Sequence, residues 1–115
     1  MLKQRIEILK MGGVIGDDVA QFMNQVIDMM AADYPQIDID RSTMFTTHLA
    51  MAVERIKKGE IVEAMDDAMW EEITEAPEYE KAVEFRTKMY AMCPVEFPKS
   101  EGMFITLHIC NILAE

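Results

Sequence analysis

Apolar residues recur along this chain at intervals of three and four, the spacing that gathers side chains on one face of an α-helix. No segment alternates apolar and polar strongly enough to predict a half-buried strand. Leu2, Ile6 and Leu9 predict a short first helix that stops at Gly12 and Gly13. Asp17 is a candidate N-cap for the second, whose stripe of Val19, Phe22, Met23, Val26 and Met30 ends before Pro35. Residues 34–40 then read as a loop, and Ser42 can cap a third helix along Phe45, Leu49, Ala52 and Ile56. Lys57, Lys58 and Gly59 close that helix in the order its negative end and a left-handed cap favour. Between residues 61 and 75, Val62, Met65, Met69, Trp70 and Ile73 allow one or two short helices. Pro77 suits the first turn of a further helix, with Tyr79, Val83, Arg86 and Tyr90 along one side and Pro94 closing it. Residues 94–98 read as extended, and a last helix runs from about Ser100 to the chain end. The fold class is therefore all-α: one compact bundle of about five main helices over residues 1–115, with residues 1–14 a short helix and turn at its start.

Composition narrows the function. The 115 residues are half apolar and 28% charged, which describes one ordinary globular domain. Eleven Lys and Arg against 21 Asp and Glu give a net charge of −10, so no basic surface is available to neutralise phosphates and direct nucleic-acid binding is not expected. The apolar runs, such as residues 49–53, are far shorter than the roughly 18 residues a membrane-spanning helix needs. Lys3, Arg5, Glu7 and Lys10 interrupt what would be the apolar stretch of a signal peptide, so the chain is expected to stay in the cytoplasm, away from membranes.

Cys93 and Cys110 have no CxxC spacing and no His three or four residues away, which makes them buried free thiols by default. Gly12, Gly13 and Gly16 lack the Lys and the preceding strand of a phosphate loop. Twelve methionines are the one compositional excess. Met23, Met30, Met65 and Met69 at helical spacing read as packing before they read as a partner groove. The acidic pairs Asp66, Asp67 and Glu71, Glu72 read as a solvated helix face.

The two histidines stand out because their surroundings match. His48 shares a row with Met44, Met51 and Arg55, beside the apolar stripe of its helix. Around His108 the last helix is apolar almost all the way round, and its polar exceptions, Glu101, His108, Asn111 and Glu115, fall at intervals of seven, three and four. A polar seam thus crosses a buried helix. If the two helices lie side by side, both imidazoles line one crevice, with Arg55 and Glu101 at its ends. A lone buried His is most simply a hydrogen-bonded core residue; two of them, each aligned with a charge seven positions away, weaken that explanation.

Phe45, His48, Leu49, Ala52, Arg55 and Ile56, followed by Gly59, resemble the first histidine motif of the PTS regulation domain, the PRD of bacterial sugar-operon regulators. Glu101, Phe104, Ile105, Leu107, His108 and Ile109 resemble the second motif, on that domain's closing helix. The resemblance extends from about Ile15 to Glu115. It implies a helical regulatory domain, not an enzyme, that takes phosphoryl groups on His48 and His108, with Arg55, Glu101 and Asn111 in support. The implied donors are phospho-HPr or an enzyme IIB component of the phosphoenolpyruvate:sugar phosphotransferase system, and the implied assembly is a homodimer, with no cofactor and no metal. Members of the family usually carry two PRD copies and an RNA- or DNA-binding domain; this sequence reads as one copy without such a domain, and signalling through contacts with other proteins is the expectation. Two further readings remain open on the residues alone: an acidic helical interaction module with structural histidines, and a small metal-binding protein.

Overall fold

The structure is a computed structural model that describes residues 2–114, the side chain of Ile39 excepted. Six helices follow the apolar periodicity: α1 (Leu2–Met11), α2 (Asp17–Asp33), α3 (Ile39–Lys57), α4 (Asp67–Glu75), α5 (Tyr79–Met92) and α6 (Lys99–Leu113). No strand occurs among the described residues. The α1 and α3 termini share one device. Gly13 and Gly59 both take φ of 75°, and the next residue's N–H reaches back to a carbonyl five positions earlier, Val14 to Leu9 and Glu60 to Arg55, at 3.0 Å in each case. This glycine-dependent closure satisfies the last carbonyls of the helix.

Several boundaries differ from expectation. Asp17 is not the cap of α2 but its first helical residue; extended Gly16 holds the cap position. The Gly16 N–H donates to Glu54 Oε1 at 2.9 Å, and a Cβ at Gly16 would lie 3.0 Å from Asp18 Oδ1 and 3.3 Å from Lys57 Nζ. A side chain from α3 thus covers the start of α2, and Lys57 ties the two helices through Asp18 at 2.8 Å. Ser42 does not cap α3 either. Asp38 does, accepting the Asp40 N–H at 2.8 Å, while buried Ser42 donates its hydroxyl to the Asp38 carbonyl at 2.9 Å. Residues 60–66 stay outside helix and only the short α4 follows. Pro77 precedes α5 instead of opening it. It occupies a tight turn closed by the Tyr79 N–H on the Ala76 carbonyl at 3.0 Å, where its fixed φ suits the second turn position and its bulk holds Ala76 extended.

Packing centres on α6, which lies against α3, α4 and α5. Its buried residues, among them Met103, Ile105, Ile109 and Ile112, meet Phe22, Phe45, Leu49, Phe85 and Met89 in one apolar cluster. The core face of α5 is Ala82, Phe85 and Met89, one residue off the row Tyr79, Val83, Arg86, Tyr90. That row is half-buried on the flank, where Tyr79 meets Trp70 edge-on and Tyr90 stacks on Phe97 at 5.0 Å. Met23, Met30 and Met65 are core residues, but Met69 is exposed.

A side chain of α5 comes close to α6 at Gly102, where an added Cβ would lie 2.8 Å from the Tyr90 hydroxyl. Tyr90 is held by Phe97 and by the Arg86 guanidinium over its ring. Gly102→Ala is therefore expected to lose about 1 kcal/mol net in urea unfolding, because overpacking of about 1–3 kcal/mol outweighs a helix-propensity gain of about 1 kcal/mol. A stabilised variant would show that Tyr90 yields freely.

Candidate functional site

The row Met44, His48, Met51, Arg55 lies at the rim of α3, with the core residues Phe45, Leu49 and Ala52 beside it. Met44, 64% exposed, leaves the α3 side of His48 open. Opposite it on α6 stands His108, half-buried between core residues Ile105, Ile109 and Ile112. The two imidazoles stack, with centroids 4.5 Å apart and planes 17° from parallel. Seven residues onward on α3 and seven residues back on α6, Arg55 grips Glu101 with a two-pronged contact. Arg55 Nε donates to Oε2 at 3.1 Å and Nη2 to Oε1 at 3.0 Å. Equal offsets in opposite directions mean that α3 and α6 run antiparallel, with the ion pair about 10 Å along the seam from the rings. The Glu101 carboxylate is 2% exposed, so its charge is sustained by a geometry that matches a guanidinium fork.

A third contact extends the seam the other way. Arg41, seven residues before His48, donates through Nη1 to the carbonyls of Asn111 and Ala114 at the C-terminal end of α6, where cations are favoured. Sequence reasoning missed Arg41, although the 41, 48, 55 spacing was a signal for it. Each ring has its own cleft. Arg41, Met44, His108 and Asn111 line one of about 550 Å³; Arg5, Met44, Thr47 and His48 line another of about 330 Å³. In the second, Arg5 Nε donates to the Thr47 hydroxyl at 3.0 Å. The structure thus brings His48, His108, Arg55 and Glu101 into one antiparallel seam and puts Asn111 in the His108 cleft. Glu115 lies outside the described residues.

Burial lowers the pKa of His108 below its usual value, and the neighbouring His48 lowers it further. The ring is therefore neutral at pH 7, with a nitrogen lone pair available for bonding. Since the unfolded chain binds this proton more readily, stability is full above pH about 6.5 and declines as pH falls through the lowered His108 value. Chemical unfolding of wild type and His108→Gln between pH 7 and 5 tests the sign: wild type should lose stability faster on acidification, and parallel curves would contradict it. Burial pushes the Cys93 and Cys110 thiols up, so neither is a thiolate nucleophile at neutral pH. Among the described residues, no three His, Cys, Asp or Glu side chains gather as a metal site. No described helix is long and apolar enough to cross a membrane.

Comparison with known proteins agrees with this architecture. An uncharacterized protein of Escherichia coli (strain K12), YhfY, is 24% identical over 106 residues, covering 90% of this chain and 88% of YhfY. No solved structure matches. The PRD domain family matches residues 20–112, a span that begins within α2 and contains both histidines, Arg55 and Glu101. With most of its length inside that match, this chain belongs to the PRD domain family.

Proposed function

We propose that this protein is a phosphorylation-responsive regulatory module of the bacterial phosphotransferase system, accepting phosphoryl groups at His48 and His108 and signalling through protein–protein contacts in sugar-operon regulation. The PRD domain family is associated with regulation of this kind. The observation that carries the reading for this chain is the stacked pair itself: two imidazoles from separate helices, face to face at 4.5 Å, on a seam open on the His48 side. A donor protein, phospho-HPr or an enzyme IIB, needs that access, because its own phosphohistidine must approach the acceptor nitrogen directly.

The chemistry asks little of this chain. The acceptor lone pair forms a new N–P bond as the donor's N–P bond breaks; the acceptor ring releases a proton and the donor ring takes one up. The modified ring then carries about −1.5 to −2 charge and three acceptor oxygens. On His108 that group enters the cleft Arg41 lines, where charge-assisted hydrogen bonds compete with the guanidinium's contacts to the α6 carbonyls. On His48 it meets Arg5 in the neighbouring cleft. Either event alters charge on a face that carries exposed Met44 and Met51, where a homodimer partner or a target protein would sense it.

The test is a phosphoenolpyruvate phorphorelay reconstituted with HPr or an enzyme IIB. Wild type should gain acid-labile phosphate and His48→Ala/His108→Ala should gain none. A phosphate-free wild type would instead favour an interaction module with structural histidines.

A further inference from the structure

We infer that His48 and His108 form a single-occupancy acceptor: a phosphoryl group on either ring excludes one on the other. The inference rests on the reading that these rings are phosphorylated, and it concerns how the pair behaves once they are.

The geometry makes the case. Stacked rings 4.5 Å apart and 17° from parallel hold their nitrogens, and any groups bonded to them, within several ångströms of one another. His108 is half-buried and His48 exposed, and Met44 lines the clefts of both rings, so the two approaches adjoin. Two phosphoryl groups on these rings are close neighbours, each with about −1.5 to −2 charge. Repulsion between such neighbours disfavours the second addition by about tenfold or more even with the dielectric constant of water, and the half-buried setting of His108 adds to it. None of the neighbouring arginines bridges the two rings. Arg55 is committed to Glu101 through both prongs, and Arg41 and Arg5 lie in separate clefts, one to each ring.

The same stacking bars direct passage of the group between rings. Displacement at phosphorus places the attacking atom behind it, opposite the bond that breaks. Here the second imidazole lies over the face of the first, beside the N–P bond and not behind it. Each ring must therefore be charged by its own encounter with a donor. The first encounter decides which cleft, the one with Arg5 or the one with Arg41, receives the charge. The pair is an either-or register with two distinct outputs.

Intact-mass spectrometry at alkaline pH, after exhaustive incubation with the reconstituted phosphorelay, tests this. Wild type should stop at one phosphoryl group per chain, and a doubly modified wild type would overturn the inference while leaving the phosphorylation reading in place. A wild type with no phosphoryl group overturns both. A second arm covers the case in which one ring accepts far better: His48→Glu should slow phosphorylation of His108 roughly fivefold or more relative to His48→Gln, and His108→Glu should do the same to His48 relative to His108→Gln. Equal rates for the Glu and Gln variants at the accepting ring would overturn the inference.

Discussion

Arg55→Ala is expected to destabilise the protein by about 3 kcal/mol, a fall in Tm of roughly 10 °C. The cause is what it leaves behind. Both described hydrogen bonds to the Glu101 carboxylate come from Arg55, and Glu101 is 2% exposed, so truncation strands a charge inside the bundle. Arg55 is itself 38% exposed; water entering its place holds the loss to the lower part of the range for broken buried pairs. Glu101→Gln should cost less, about 1–2 kcal/mol, because the amide keeps the shape and one acceptor while the guanidinium can turn toward solvent. Urea unfolding of both variants checks the ordering. Losses below about 0.5 kcal/mol for both would reduce the bridge to an ordinary surface ion pair.

Phe85→Ala is expected to cost about 4 kcal/mol, a large part of the roughly 5–15 kcal/mol that holds a domain of this size together. Phe85 is fully buried on α5, edge-on to Phe45 of α3 at 5.7 Å and tilted against Tyr34 at 5.0 Å. Its removal opens a cavity between three segments that cannot close without moving α5. Thermal unfolding should show a single transition shifted well below wild type, with the helical signal intact at low temperature. A loss under about 1 kcal/mol would mean that α5 does not rely on this ring.

The seam was legible because its two halves repeat one interval: His48 and Arg55, Glu101 and His108, seven residues apart on their helices. Direction was not legible. Parallel packing would have set His48 against Glu101 and Arg55 against His108, giving two ion pairs and no ring stack; only the antiparallel course of α3 and α6 brings like to like. Arg41 shares the seven-residue row of His48 and Arg55, but its partners are backbone carbonyls, which no motif marks. Helix starts failed for related reasons. The Gly16 N–H is taken by Glu54 from another helix, and Asp38 starts α3 before the Ser42 expected to cap it. On α5 the aromatic row drew attention away from Ala82, Phe85 and Met89, because Tyr79 and Tyr90 pack sideways onto Trp70 and Phe97 instead of into the core.

The most direct test of the account is to locate the modification in the phosphorylated wild-type chain by fragmentation mass spectrometry, with the sample kept alkaline throughout. Phosphoryl groups are expected on the peptides that carry His48 or His108 and on no others. Phosphate found only on other side chains, or none after complete turnover of the donor, would contradict it.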